Sequence, residues 1–492
     1  MLASFSTLPD DIIYVLGKSL NEQSPADAHT VMLICKRTQA VLLPIIYSSV
    51  YLRNVRHCLH TLRYLQKYPY VASYIRRLAV NPLANTKNNS AQSSEATEEW
   101  VARTLEELAS SFTHLIDFSW DGSCLPKSKT FWQTLRQECP ELGFISTAIS
   151  QQDPYSWGDT TDFLKLEGLQ GFSVKIKDSP DSTKPPQYLS AFPPAFWDMI
   201  HPCRSPKLRL LSFESDLLRS FNFNLLFTMC LPSLLALTIA GFVFIDFAAS
   251  DFITFTQSAP SLQHLQISPV GRIPWHKINL SHIRHYGGNI YSVLTGAADW
   301  PSLQSLDISC FPLSIERMSN FLRKSSVLPS LKSLKLRLTS EDLISTSSNS
   351  NFYGDGDPAF FLLPAMARCY PTLKDLDLVS SSGSTVPWES MFLSLGDLPM
   401  LTNFYLTQVP PRFGGCILET ATAALTANPN IEQVRVRRST GPWHQTLDCK
   451  IGEKVYLRYI SRQPPIVTVH HINYVGDEPR VSSSRLLVPC LS

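Results

Sequence analysis

Pro329-Ser330-Leu331-Lys332-Ser333-Leu334-Lys335-Leu336 is a proline followed by aliphatic residues two, five and seven positions later. The same skeleton recurs at Pro206 (Leu208, Leu211, Phe213), Pro232 (Leu234, Leu237, Ile239), Pro260 (Leu262, Leu265, Ile267) and Pro301 (Leu303, Leu306, Ile308). It returns at Pro371 (Leu373, Leu376, Leu378), Pro399 (Leu401, Phe404, Leu406) and Pro429 (Ile431, Val434, Val436). With 35 prolines and 44% hydrophobic residues, unpatterned apolar positions would give about three such matches, against at least eight present. The intervals 232 to 260, 301 to 329 and 371 to 399 are each 28 residues, which is a repeat period.

The last two aliphatics of the phrase have period two, so both point to one face of a short strand and the residues between them to the other. The earlier aliphatic covers the edge of the same core, and the proline sits where the preceding segment stops and no backbone donor is needed. One such unit cannot bury its apolar face alone, so consecutive units must stack. The pattern resembles an irregular leucine-rich repeat, although the consensus asparagine after the strand is mostly missing. The resemblance covers most of the chain after about residue 70. It implies an α/β solenoid over 70–438, with a parallel sheet on the concave face and helices on the convex face. Ile75, Leu78 and Val80, then Leu115, Phe118 and Trp120, then Leu169, Phe172 and Val174 fit the skeleton without proline, and Ile283, Tyr286 and Gly288 read as a degenerate unit. Beyond Arg438 the phrase stops. Residues 455–460 and 466–472 read as strands of a terminal cap spanning 439–492.

A chain of 492 residues exceeds a usual single core, but a solenoid grows by adding units. The net charge is +2, so nothing in the overall balance calls for a nucleic-acid or membrane partner, and neither is expected. Eleven cysteines without a Cys-x-x-Cys pair, and a start lacking a basic and then apolar leader, lead us to expect a reducing compartment, cytoplasmic and/or nuclear. Asn88-Asn89-Ser90 and Asn279-Leu280-Ser281 match the glycosylation pattern, which that context argues against. Residues 221–245 carry no charge, as a membrane helix would, yet Pro232 and its leucines fall in repeat register and predict a repeat helix and strand instead.

Residues 4–52 differ in kind. Thr7 and Asp10 have capping-box spacing, and Ile12, Ile13, Leu16 and Leu20 recur at helical intervals. Ser24-Pro25 opens a second helix, which leads through Ile34-Cys35-Lys36-Arg37 into a third. Leu8-Pro9-Asp10-Asp11-Ile12-Ile13, with Leu16 and Leu20, resembles the opening helix of an F-box. Ile34-Cys35-Lys36-Arg37 resembles its second signature, and 43–50 the tail found in fungal F-box proteins. Gly17 and Ser19 stand where that family usually has aromatics, and Thr38 replaces its common tryptophan. The resemblance implies a 4–52 F-box-like helical domain that docks a Skp-type adaptor, and through it a cullin. Carried over, Leu8, Pro9, Ile12, Ile13, Leu16, Leu20, Ile34 and Cys35 form the adaptor-binding or domain-core surface. The function implied is the substrate-recognition subunit of an SCF-type ubiquitin ligase complex. The alternative is a non-catalytic repeat scaffold whose first helices only cap the solenoid.

Signals for catalysis are poor: no phosphate loop, no His-Glu-x-x-His, no Gly-x-Ser-x-Gly and no clustered metal ligands, so neither enzyme activity nor a cofactor is expected. His282 and His285 could share a helix face, as could His57 and His60, but two histidines without a third ligand make a poor zinc site. The residues flanking the strand aliphatics should line one concave surface. Lys335 and Arg337, Asp375 and Asp377, Tyr405, and Arg435 and Arg437 would form basic, acidic, aromatic and again basic bands along it. Mixed charge suits a protein substrate.

Overall fold

The computed structural model describes residues 8–23, 25–82, 91–126, 128–150, 162–177, 191–267, 278, 280–288, 300–313, 318, 322, 328–338, 359–380, 392, 394–408, 417–440, 443–450, 454–460, 466–475 and 478–487. Thr7, both glycosylation matches and the turn-rich stretches 178–186 and 340–358 fall wholly or partly outside them. Contacts divide the chain into two units, Met1–Leu262 and Gln263–Ser492.

The first unit opens with three helices, α1 (Asp10–Gln23), α2 (Pro25–Met32) and α3 (Lys36–Ile46). Then come β1 (Ser49–Leu52), α4 (Val55–Lys67), α5 (Pro69–Ala72), β2 (Arg77–Val80), α6 (Ala91–Leu108), β3 (Asp117–Trp120), α7 (Phe131–Glu138), β4 (Phe144–Ser150) and β5 (Gly171–Lys177). The unit continues through β6 (Leu210–Phe221) and β7 (Ala236–Phe244), with helices Pro194–Ile200, Asn224–Phe227 and Ala249–Ser258 around them. Strands β1 to β7 pair in sequence order, every pair parallel. The second unit pairs β8 (His264–Ile267), β9 (His285–Gly288), β10 (Ser305–Leu313), β11 (Ser333–Leu338), β12 (Asp375–Ser380), β13 (Asn403–Gln408) and β14 (Gln433–Thr440) in the same way. Four strands, β15 (Trp443–Lys450), β16 (Lys454–Ile460), β17 (Ile466–Val475) and β18 (Glu478–Leu487), then add on antiparallel. Each unit is a leucine-rich-repeat-like solenoid.

All the aliphatic and aromatic positions of the eight proline phrases are buried, none more than 2% exposed. Register turns them into rungs: Leu306, Leu334, Leu376, Phe404 and Val434 stand side by side across five strands. The proline has a more specific role than stopping a segment. In each phrase the residue before it accepts a hydrogen bond from the first aliphatic, as in Leu331 N–H to Leu328 O at 3.3 Å and Leu373 N–H to Tyr370 O at 3.1 Å. Proline is thus the second residue of a four-residue turn, where its fixed φ is already suitable and its missing N–H costs nothing. The next two amides then share the carbonyl just before the preceding strand: Lys332 and Ser333 both donate to Gln304 O, at 2.8 and 2.9 Å.

The sheet starts earlier than residue 70. Ser49–Leu52 is a strand, and Ser48 O accepts from Arg76 and Arg77 N–H, each at 2.9 Å, in the signature of the later rungs. The helical headpiece therefore ends before Ser49 rather than at residue 52. Helix α6 starts at Ala91 and buries Val101, Leu105 and Leu108. The uncharged 221–245 stretch is the end of β6, a short helix and β7. Its phenylalanines pack on one another, Phe221 on Phe223 at 4.8 Å and Phe227 on Phe244 at 5.5 Å between ring centroids. Among the described residues no helix is long and apolar enough to cross a membrane.

Candidate functional site

Two surfaces draw together the residues singled out from the sequence. The first is the headpiece. Ile13 and Gly17 turn inward from α1 onto α3, whose Leu42, Leu43, Ile45 and Ile46 are buried. A Cβ on Gly17 would come 2.0 Å from Leu42 Cδ2, so the glycine found where an aromatic residue was expected lets the two helices cross closely. Beside that packed side, α1 leaves further apolar residues uncovered: Ile12 is 43% exposed, Val15 62% and Leu16 41%. Leu33 and Ile34, in the turn before α3, are 76% and 54% exposed.

Ile13, at 1% exposure, belongs to the headpiece core and offers nothing to a docking partner. Leu8 and Leu20 are half-buried, while Pro9 and Cys35 are exposed. Arg37 donates to Asp10 Oδ1 at 2.7 Å and so brings the first turns of α3 and α1 together, with Ile34 and Cys35 just before one and Ile12 just within the other. Cys35 caps α3: its Sγ accepts from Thr38 N–H at 3.4 Å, and Thr38 Oγ1 accepts from Cys35 N–H at 3.1 Å. That reciprocal cap occupies Thr38, which is buried, and explains its presence in place of tryptophan. Hydrogen bonding by the Thr38 hydroxyl and then by its backbone N–H holds the Cys35 thiol below its ordinary pKa. Val15 and Leu33 are not singled out by the sequence reading; Val15 was legible as i+3 to Ile12.

The second surface is the concave sheet face of the second unit. Asp307, Lys335, Asp377, Tyr405 and Arg435 lie in one rung across β10 to β14. Lys335 Nζ reaches Asp307 Oδ2 at 3.2 Å, and the Arg435 guanidinium lies over the Tyr405 ring, 5.3 Å from its centroid. Tyr405 OH donates to Gln433 Oε1 at 3.3 Å, and Asn403 Nδ2 to Asp375 Oδ1 at 2.6 Å. Burial pushes the Asp377 carboxyl up, with Lys335 and Arg435 opposing and Asp307 adding to the shift. Asp377 Oδ1 and Arg337 Nε are buried without a hydrogen-bond partner, so polar capacity remains for a ligand. Arg437 is in register with Thr407 on the neighbouring strand.

Asp307 is not among the residues expected from the sequence, although it stands one 28-residue period before Lys335. Nor is the pairing of His264 with His285 on the neighbouring strands β8 and β9. Their rings stack at 4.0 Å, and burial holds both imidazoles below their ordinary pKa. His285 lies on a strand and His282 in the turn before it, so they share no helix face. Among the described residues no three His, Cys, Asp or Glu side chains could hold a metal ion together.

The first unit's concave face is different. Ala79, Ser119, Ser146 and Ser173 form one small-residue rung, flanked by Lys175 and Glu214, around a cleft of about 210 Å³. Asp121 beside it is held by an ion pair with Lys177 and a 2.7 Å hydrogen bond from Asn81 Nδ2.

The fold and these surfaces define a repeat solenoid protein that carries a helical headpiece with an uncovered apolar face. No family model and no curated protein matches the sequence. Among solved structures, the chain is similar to one in the crystal structure of the Rad7 and Elc1 complex in yeast, with 12% sequence identity and a TM-score of 0.41, over 77% of this chain and 91% of that one.

Proposed function

We propose that this chain is the substrate-recognition subunit of an SCF-type ubiquitin ligase complex. Its headpiece docks a Skp-type adaptor, and through it a cullin, while the concave sheet face of its repeats holds a target protein. The observation that carries the reading is the apolar row of Ile12, Val15 and Leu16 with Leu33 and Ile34, left open on a headpiece whose other face is packed. Helices serving only as a solenoid cap would turn their apolar residues toward the repeats and present a polar outer face. An exposed apolar cluster of this kind marks a protein interface.

Three of its five residues, Ile12, Leu16 and Ile34, are among those that carry the F-box resemblance, while Ile13 is withdrawn to the core. The Asp307-to-Arg435 rung, partly buried and carrying both charge signs, favours a protein target over a single-signed polymer. The complex would act in the cytoplasm and/or nucleus. The test is co-expression of the full chain with a Skp-type adaptor: a stable stoichiometric complex is expected. Purification of the chain alone, with the adaptor in excess and unbound, would leave the scaffold reading in its place.

A further inference from the structure

The balanced net charge hides a local imbalance. Between Asp27 and Glu95 the chain holds no Asp or Glu at all, yet it carries nine Lys and Arg, against 43 basic and 41 acidic residues overall. The helix in the middle of this stretch, α4, concentrates that charge on one side. Cys58, Leu62 and Leu65 are buried, while Arg56, His60, Arg63 and Lys67 are exposed at intervals of four, three and four residues. Helical geometry puts these four in a stripe directly opposite the buried face, about 16 Å long.

Tyrosines border the stripe. Tyr64 stacks on Tyr47 at 6.3 Å and touches Tyr68 at 5.0 Å, which in turn meets Tyr70 at 6.3 Å. Tyr64 is 37% and Tyr70 58% exposed, and Lys67 Nζ lies 5.3 Å from the centre of the Tyr68 ring. Two carboxylates of the neighbouring α6 are engaged elsewhere: Glu107 accepts from Gln66 on the flank of α4, and Glu99 pairs with Arg103. Among the described residues no ion pair draws on Arg56, Arg63 or Lys67.

We infer that this face of α4, with its tyrosine border, is a binding surface for single-stranded nucleic acid. Uncompensated cations in a row attract a phosphate backbone. Exposed rings beside them supply the stacking platforms that unpaired bases use, which an acidic protein segment lacks. The surface shares no residue with the headpiece row or the charged rung of the second unit, so the inference does not rest on the ligase reading.

The experiment is fluorescence anisotropy of a labelled oligothymidylate of about 20 nucleotides, longer than the ~4–16 bound by a typical single-strand site, titrated with the full chain at several salt concentrations. Binding is expected to weaken with salt, with a log–log slope of about −2 from three permanent cations at roughly 0.7 each. Arg63→Gln with Lys67→Gln should flatten the slope by about 1.4. Tyr70→Ala should weaken binding about 5- to 150-fold and leave the slope unchanged. All three side chains are exposed, so circular dichroism should show the fold intact. An absence of binding at low salt, or a slope unmoved by the double substitution, overturns the assignment. So does displacement by polyglutamate at equal charge together with indifference to Tyr70→Ala, which would make the surface a site for an acidic protein segment.

Discussion

The adaptor reading is tested most sharply by contrasting neighbouring isoleucines on α1. Fully burying an aliphatic side chain is worth about 1.5–3 kcal/mol, and only the part still exposed in the free chain remains to be gained on docking. For Leu16, 41% exposed, and Ile12, 43% exposed, that leaves roughly 0.6–1.3 kcal/mol each, a three- to ninefold loss of affinity on truncation to alanine. Ile34, 54% exposed, leaves roughly 0.8–1.6 kcal/mol. The triple variant Ile12→Ala, Leu16→Ala, Ile34→Ala should therefore bind a Skp-type adaptor about 30- to 1,000-fold more weakly by isothermal titration. By the same measure the parts of these side chains already buried contribute up to about 2–5 kcal/mol to the free chain, so binding is compared at a temperature where circular dichroism shows the variant folded. Ile13→Ala should spare binding by the folded chain. It removes a buried side chain from the α1–α3 contact and should cost about 2–5 kcal/mol of headpiece stability. Any loss of adaptor binding should then track unfolding. Equal binding by the triple variant and the wild type would refute the docking face, whatever Ile13→Ala does.

Three further outcomes follow from the repeats. Leu376→Ala, between Leu334 and Phe404 in the core rung, should lower stability by about 2–5 kcal/mol in urea denaturation, while Val379→Ala on the half-exposed face of the same strand should cost ~0.5 kcal/mol or less; similar costs would mean that the two faces are not distinguished. Pro329→Ala should destabilise by about 0.4–1 kcal/mol, because the turn conformation persists but the unfolded chain gains freedom; a larger loss in the denaturation midpoint would point to a native contact instead. Glu98 is buried and accepts from Ser123 N–H and Oγ, each at 2.8 Å, yet burial still raises its pKa. A carboxyl whose folded pKa lies above its unfolded value contributes stability at low pH that is lost as pH rises through the folded value. Glu98→Gln should therefore gain melting temperature relative to wild type at pH 7–8 and lose that advantage near pH 4, and a difference independent of pH would contradict the argument.

The repeat was legible because its period is written in residues that the core cannot do without. Leu331, Leu334 and Leu336 are buried for the same reason as Leu303, Leu306 and Ile308 one period before them, and the spacing within the phrase survives wherever the stack does. Other features are written in other letters. Tyr47, Val50 and Leu52 hold the same three positions at the start of the first unit, but with a tyrosine leading and no proline, so the sequence hides β1 and the headpiece reads too long. On α1 the apolar residues 12, 13, 15, 16 and 20 spread over more than one helix face, and spacing alone does not say which side is covered. The contact of Gly17 with Leu42 settles it and divides Ile12 from Ile13. The charge on α4 was lost by averaging over 492 residues what is concentrated in a few turns.

A stacked core of this kind also explains why the two concave faces differ while their buried faces agree. Leu211, Leu237, Leu306, Leu334 and Leu376 are interchangeable because each rung must fill the same space between the same neighbours. The residue that follows each of them points out of the core and bears no such constraint, so it varies with what the face meets. In the first unit that series includes Ser119, Ser146 and Ser173, small enough to let a backbone approach. In the second it is Asp307, Lys335, Asp377, Tyr405 and Arg435, long and charged enough to reach out. Exchanging the two series would leave the core rungs untouched. Lys335→Ser with Arg435→Ser should thus keep the stability of the second unit nearly unchanged, since an exposed ion pair such as Lys335–Asp307 is worth about 0–1 kcal/mol, while removing the charge that a protein target would read. A marked fall in its unfolding midpoint would show that the outward rung also holds the sheet together.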